Sequence, residues 1–545
     1  MMNRDFFKGL TDAEWKSCLL LVISGVLTGF TLVFPQVGFL EWLTIVPAAI
    51  FVLSRIDADE YRARKIYGYG LLFFLSLYVV VFHWFVNMYP LDFIDGMTPL
   101  AAIAVVLSGC IGLSLFQAVF GGLAFLLLRV LFRTRALRSH RILRPFAAAA
   151  VWAVYEWTQT LGWWGVPWAR LPIGQSEYIV GLQTASLLGP YIITFAIVLV
   201  NFCVAYVLLE GKGLKAMSVT VAATLIFQYG VGTVLYLLPQ DGTETVRIAA
   251  VQGNISSNEK WDESGDQENR TLRVYAEHTL EAAKNGADIV IWPETALPYS
   301  VTESNFYGRY CSAVAKEGGV TVLAGVLKDN GSRNAIVCVH ADGSFHDTVY
   351  YKQRLVPFGE FVPFKEVFEL IIPPLADLVM TSGDMIAGEG SEVMELDGVK
   401  VGCLICFDSI YEGLARQSVR DGANIICLST NDSWFTDSRA LYMHNAQAQL
   451  RAIENGRYVV RAANTGISTV ISSKGEVLRE LEPLVDGIVE YDVPVNTHRT
   501  LYSVIGNAFI VLLVAIFVLL ILWDVVMSKK KKSTKAVVEN DEIEH

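Results

Sequence analysis

Two hydrophobic regimes divide the chain. Residues 1–238 and 503–527 are almost continuously apolar, broken by short polar loops, whereas residues 245–495 mix short apolar runs, amphipathic stretches and turn residues. Eight apolar segments, near 17–34, 38–54, 66–88, 98–128, 145–160, 179–209, 215–238 and 503–527, approach or exceed the roughly 20 residues that cross a bilayer as helix. The fourth and sixth are longer than that and are expected to tilt or protrude. The first is read as a retained span, because no small-residue cleavage site follows it and further spans come directly after. The pattern predicts a membrane domain over 1–240 with about seven spans, a globular domain over 241–500, a last span over 501–528 and a charged tail over 529–545.

Within the globular part the periodicity predicts strands at 246–251, 287–291, 320–326, 335–340, 348–351, 399–406, 423–429, 459–463 and 468–472. Helices are predicted at 269–284, 304–316, 407–422 and 441–455. Turn pairs such as Asn285-Gly286, Asp342-Gly343 and Lys474-Gly475 punctuate the series. Alternating strands and helices over such a length indicate a layered α/β domain.

Composition agrees with a membrane protein. Of 545 residues 53% are hydrophobic and 18% charged, against about a quarter charged in ordinary soluble domains. The basic residues fall in alternate loops: Arg4, Lys8 and Lys16; Arg55, Arg62, Arg64 and Lys65; Arg133, Arg135, Arg138, Arg141 and Arg144; Lys212 and Lys215; Lys529 to Lys532. The intervening loops 35–41 and 87–99 have none, and 160–178 has only Arg170. The positive-inside rule then predicts both termini in the cytoplasm and the globular domain outside the cytoplasmic membrane. A formal net charge of −11 argues against a nucleic-acid partner. The eight cysteines lie mostly in apolar spans and strand-like runs rather than in a disulfide framework. No metal is expected, since no histidine has a ligand-spaced neighbour in sequence.

The candidate chemistry lies in three residues, each ending a strand-like run: Glu294 in Ile291-Trp292-Pro293-Glu294, Lys352 in Val349-Tyr350-Tyr351-Lys352, and Cys406 after Val399–Ile405. A thiol at a strand-to-helix elbow is favoured as thiolate. Glu294 suits a general base, while Lys352 and the backbone N–H after Cys406 suit an oxyanion. Together they predict acyl transfer through a thioester. Glu360 is placed to orient Lys352 or to hydrogen-bond the base. A redox role for Cys403-x-x-Cys406 is disfavoured, because the intervening residues continue a strand and strand alternation points the two side chains apart.

These residues resemble the Glu-Lys-Cys set of the nitrilase superfamily. The run Tyr351-Lys352-Gln353-Arg354-Leu355-Val356-Pro357-Phe358-Gly359-Glu360-Phe361, the Lys260-Trp261 pair and the eight-span frame make the chain similar to the apolipoprotein N-acyltransferases. The resemblance implies an α-β-β-α sandwich on a polytopic helical membrane domain. It implies transfer of an acyl chain from a membrane phospholipid to the α-amine of a diacylglyceryl-cysteine at a lipoprotein N-terminus, in ping-pong order and without a cofactor; the enzyme is expected to be a monomer. Phe407-Asp408 replaces the family's usual Tyr-Glu, keeping an aromatic ring and a carboxylate.

Glu360, Phe407, Asp408 and Trp261 are expected to support the site, and Trp434 to line its lipid access. The apolar stretch 361–380, with Phe361, Phe364, Phe368, Leu370 and Ile371, reads either as buried loop core or as an arm dipping into the bilayer surface. Glu156 lies in an apolar span beside Trp157, Trp163, Trp164 and Trp168; it is read as structural or lipid-orienting. Two alternatives stay open: a membrane-tethered amidase or hydrolase in which water replaces the amine, and a non-catalytic scaffold or transporter.

Overall fold

A computed structural model describes residues 4–91, 97–162, 164–210, 213–256, 266–371 and 384–543. Among these, seven helical stretches are long and apolar enough to cross a membrane: Glu14–Val33, Pro35–Arg55, Ala63–Met88, Pro99–Arg133, Tyr191–Glu210, Leu214–Leu237 and Ala508–Lys529. They match seven of the eight predicted spans. The predicted span 145–160 is a helix of only 15 residues, Arg144–Thr158, about 22 Å long against an apolar core of about 30 Å. Residues 167–176 beyond it are wholly buried and hold only a short 3-10 helix, Leu171–Gln175. The predicted span 179–209 is also not continuous. It breaks at Gly189-Pro190, where Gly189 takes φ +79, and only Tyr191–Glu210 is long enough to cross.

The basic loops gather at one end of the helices and are tied by ion pairs. Lys65 meets Glu14 at 2.9 Å, Arg133 meets Asp59 at 2.9 Å, Arg144 meets Asp57 at 2.7 Å and Arg141 meets Glu210 at 3.1 Å. The Arg135 backbone N–H donates to Asp524 of the last span at 2.9 Å. At the other end, loops poor in Lys and Arg contact the globular part: Thr436 donates to Asn87 O at 3.4 Å and Arg354 to Gly162 O at 3.4 Å.

Among the described residues the globular part has thirteen strands: β1 (Thr245–Gln252), β2 (Ile289–Ile291), β3 (Leu297–Ser300), β4 (Thr321–Lys328), β5 (Arg333–Val339), β6 (Tyr350–Tyr351), β7 (Val393–Leu396), β8 (Val399–Ile405), β9 (Ile425–Thr430), β10 (Val459–Ala463), β11 (Thr469–Ile471), β12 (Val477–Glu480) and β13 (Gly487–Pro494). One sheet runs β13-β1-β2-β4-β5-β6, with β3 on β4; the other runs β12-β11-β10-β9-β8-β7. β1, β2 and β4 are parallel neighbours, as are β8, β9 and β10.

Strand alternation splits each sheet's apolar residues between two faces. Ile248, Ile291, Leu323 and Ile336 meet Cys403, Ile405, Cys427 and Val460 between the sheets. The outer face of the first sheet packs Val251, Val290 and Val322 on Leu272, Tyr275, Cys311 and Val314 of helices Asp266–Lys284 and Phe306–Gly318. The outer face of the second packs Leu404, Ile426 and Leu428 on Ala415, Val419, Ala448 and Ala452 of helices Glu412–Arg420 and Arg439–Asn455. This is the expected α-β-β-α sandwich. The last helix shows a second apolar side: Ala440, Met443, Ala446 and Leu450 join the core of the membrane helices. The two parts of the chain therefore share one hydrophobic interior.

Candidate active site

The three predicted residues leave strand ends and converge between the sheets. Glu294 follows β2 in a turn whose next residue, Thr295, takes φ +46. The turn lies so close to β4 that a Cβ on Gly325 would come within 2.0 Å of Pro293 O; only glycine fits there. Lys352 follows β6 directly. Cys406 follows β8 with φ +48, a left-handed conformation costly for a side chain that turns the chain sharply out of the strand. Ends of parallel strands are where open α/β sheets place their ligands.

Lys352 Nζ donates to Glu294 Oε1 at 2.8 Å and to Glu360 Oε1 at 2.9 Å. The side chains are 2%, 7% and 11% exposed respectively, so this is a buried ion triad. Asn334 Nδ2 reaches both carboxylates, at 2.7 Å and 3.3 Å. The remaining oxygens are also held: Glu294 Oε2 accepts from Asn431 N at 2.8 Å, and Glu360 Oε2 from Val356 N at 2.9 Å. Glu360 is thus paired with Lys352 and makes no direct bond to Glu294 among the hydrogen bonds described. Burial disfavours the Lys352 ammonium, but Glu294 and Glu360 outweigh it and hold its pKa well above the ordinary value. Lys352 is a fixed cation.

The expectation of a ready thiolate is overturned. The predicted helix 407–422 is interrupted: a 3-10 turn, Cys406–Ile410, precedes a helix that starts only at Glu412. One short turn supplies little dipole. Burial first, and the Glu294 carboxylate next, raise the Cys406 pKa, while Lys352 lowers it in part. The balance favours a resting thiol over a thiolate. Cys403 lies in the core between the sheets, in register with Cys427 of β9; Cys406 packs against that same core, because its left-handed turn ends the strand alternation that was expected to point the two apart.

Asp408 has an identifiable task. Its Oδ1 accepts from the backbone N–H of Arg354 at 2.8 Å and Gln353 at 3.2 Å; its Oδ2 accepts from Tyr350 OH at 2.9 Å and Ile405 N at 3.1 Å. It clamps the segment carrying Lys352 onto the turn carrying Cys406. Phe407 stacks edge-on against Tyr411, centroids 5.5 Å apart. Trp261, Lys260 and residues 372–383 lie outside the described residues, as do the side chains of Phe368 and Ile371. Phe361 and Trp434 are partly buried, whereas Phe364 and Leu370 are 66% and 85% exposed. A buried-core reading of the arm does not hold for those two residues.

A second buried polar group stands behind Cys406. His444 Nδ1 pairs with Asp432 Oδ1 at 2.9 Å, and His444 Nε2 lies 3.0 Å from Ser409 Oγ and 3.3 Å from Cys406 O. Arg461 donates to Asp432 Oδ2, and Thr430 to Asp432 Oδ1 at 2.9 Å. Donor atoms of Cys406, Asp432 and His444 fall within 4.8 Å of one another. Folding thus gives His444 the ligand-type neighbours that the sequence spacing concealed. Asp432 nevertheless has both oxygens occupied by Arg461, His444 and Thr430, so the set reads as a hydrogen-bonded brace for the turn.

Residues 24–203 match the N-terminal domain of apolipoprotein N-acyltransferase, and residues 247–502 match the carbon-nitrogen hydrolases. An apolipoprotein N-acyltransferase of Methylococcus capsulatus is 30% identical over 476 residues, covering 84% of this chain and 86% of that protein. The chain belongs to the apolipoprotein N-acyltransferase family. Another member, from Geobacter metallireducens, is 28% identical over 506 residues, 90% of this chain and 92% of that one. Among solved structures, an amidase of the nitrilase superfamily from Nesterenkonia aligns over 50% of this chain and 97% of its own, with a TM-score of 0.37 and 17% identity.

Asn334, Asn431, Asp432, His444 and Arg461 are not recognisable as site residues from sequence patterning. One signal was present: Arg461 is a charge inside the apolar run Val459–Ala463, the same anomaly that marks Glu294 and Lys352. The asparagines carry no such mark, since they begin or follow strands where polar residues are ordinary.

Proposed function

We propose that this protein N-acylates apolipoproteins: a fatty acyl chain passes from a membrane phospholipid to Cys406, and then to the α-amine of an N-terminal diacylglyceryl-cysteine. The observation that carries this reading is the buried Lys352–Glu294–Glu360 triad beside a strained Cys406, within a fold whose core is continuous with membrane helices.

Glu294 takes the Cys406 proton as sulfur attacks the ester carbonyl. The oxyanion meets Lys352 Nζ, already charged and oriented, and the N–H after Cys406. On collapse the lysophospholipid alkoxide leaves with the proton held by Glu294, and a thioester remains. The amine of the acceptor attacks in turn; Glu294 removes its proton and returns one to the departing thiolate. A thiol resting state suits this sequence, because it makes attack conditional on the base. Both substrates are lipid-anchored, and the aromatic contacts of Phe435 with Trp84 and Trp168, at 4.8 and 5.6 Å, join the site to the membrane segments. The clustering of basic loops at the far end supports a cytoplasmic position for the termini and an extracytoplasmic one for the sandwich.

The test is mass spectrometry of the purified protein after incubation with phospholipid. An acyl adduct on Cys406 is expected, absent in Cys406→Ala and discharged by a diacylglyceryl-cysteine peptide with N-acylation of that peptide. No adduct sinks the reading. An adduct that water discharges faster than the peptide makes the protein a hydrolase.

A further inference from the structure

Arg170 is the one basic residue in the loops on the sandwich side of the membrane helices, and it is fully buried, as is its carboxylate partner Glu412. Arg170 NH1 donates to Glu412 Oε2 at 2.8 Å; NH2 donates to Ile410 O at 2.9 Å and to Gln447 Oε1 at 3.2 Å. Ile410 closes the turn that begins at Cys406. The carbonyls of that turn accept from Ser409 within it and from two arginines brought from elsewhere. Cys406 O accepts from Ser409 Oγ at 2.8 Å, Ser409 O from Arg451 at 3.2 Å, and Ile410 O from Arg170.

Of these donors, Arg170 alone comes from the membrane-embedded half, and that half also holds it firmly. Glu156 Oε1 accepts from Leu171 N at 3.0 Å and from Trp152 Nε1 at 3.2 Å. Gln447 donates to Pro167 O and Trp168 O at 3.3 and 3.2 Å, and Tyr411 OH to Gly165 O at 2.5 Å. Loop 165–171 is thereby bonded to the C-terminal end of the Cys406 turn and to helix Arg439–Asn455.

We propose that Arg170 is a positioning residue: a guanidinium of the membrane domain that sets the nucleophile turn, and with it the placement of Cys406 against Glu294, so that the membrane helices form part of the catalytic machinery and not only its anchor. A planar fork suits this task because it spans a carboxylate and a carbonyl at once, which an ammonium on a flexible stem does not. Glu156 acts one step further back by fixing the loop.

The proposal rests on Cys406 being the nucleophile, as proposed above, and its test separates the two. Full-length Arg170→Lys and the double variant Arg170→Met with Glu412→Gln are compared with wild type in detergent. The lysine keeps the charge beside Glu412; the double variant removes the ion pair whole, which spares the fold an unpaired buried charge. Melting temperatures near wild type are expected for both. The kcat for acyl transfer is expected to fall about 10-fold or more with KM for phospholipid unchanged. Alkylation of Cys406 by iodoacetamide, followed on its own peptide, is expected to slow at neutral pH and to recover at high pH, where the base is no longer needed.

A purely structural ion pair predicts lowered melting temperature with kcat and alkylation profile intact in the molecules that remain folded; that outcome overturns the proposal. Wild-type activity in Arg170→Lys overturns it as well, and decides the matter if the double variant does not fold. A wild-type protein that alkylates normally but forms no acyl adduct removes the acyl-transfer reading, while the alkylation comparison still tests Arg170.

Discussion

At the scale of single residues the site is a problem of buried charge. Lys352 is balanced by two carboxylates, and each carboxylate has a further donor, so the triad tolerates burial only as a set. Lys352→Met leaves Glu294 and Glu360 facing one another. It is expected to lower stability by on the order of 3–5 kcal/mol as well as transfer by on the order of 10²–10³-fold. Adding Glu360→Gln should restore much of the melting temperature and none of the activity, which scanning calorimetry and a transfer assay measure together.

Asp408 is expected to give a pH signature. Burial raises its pKa from 3.8 to about 6, against the pull of Lys352 and its hydrogen bonds. Between those values the folded state keeps a proton that the unfolded chain releases, so this group's contribution to stability falls as pH rises through the window, by at most about 1.4 kcal/mol per pH unit. Asp408→Asn cannot titrate, and the melting temperature of that variant should show a flatter slope from pH 4 to 6 than wild type. It should also lose activity, because an amide cannot accept from all four donors now bonded to the carboxylate.

Elements decide where those residues go. The elbow comes from a strand stopped by a left-handed residue, then a short turn, then a helix; the break at Tyr411 aims the turn's carbonyls at His444, Arg451 and Arg170. Helix Arg439–Asn455 supplies His444, Gln447 and Arg451 at helical spacing on the side facing the turn, while Ala448 and Ala452 pack on the sheet. The short helix Lys365–Ile371 leaves Leu370 exposed, with Phe364 exposed just before it. Replacing Phe364 and Leu370 with Ser removes apolar area worth about 25 cal/mol per Å² where it is buried in lipid. The expected result is a raised KM for phospholipid, with an unchanged melting temperature and unchanged cleavage of a soluble short-chain ester. A fall in melting temperature with both activities lost would mean that these side chains belong to the core.

For the molecule as a whole the question is which side of the membrane each end occupies. The ion pairs among the basic loops draw 14, 55–65, 133–144, 210 and 524 into one cluster. If that cluster is cytoplasmic, a cysteine at Arg138 should react with an impermeant maleimide only after permeabilisation of the cytoplasmic membrane, and one at Asp342 beforehand. Both residues are exposed. Reversed labelling would invert the topology. The shared hydrophobic core between sandwich and helices also predicts that the two parts unfold together.

Periodicity was enough for the division into apolar helices and an α/β domain, because burial in lipid and burial in a sheet core each impose a regular pattern on sequence. The pairing of Glu294 with Lys352 was legible for a related reason: each ends an apolar run, and a charge there demands a partner. Strands β3, β7, β12 and β13 were not legible. They are short or edge strands whose identity depends on the neighbour they pair with: β13 lies antiparallel to β1 although some 240 residues separate them. The break inside 179–209 was not legible, because hydropathy measures apolar content and not helix continuity. Tertiary structure alone decided the thiol state of Cys406, the clamp made by Asp408, the brace of Asp432, His444 and Arg461, and the reach of Arg170 across 240 positions to Ile410. Each depends on desolvation or on a bond between distant segments, and neither is written in the local order of residues.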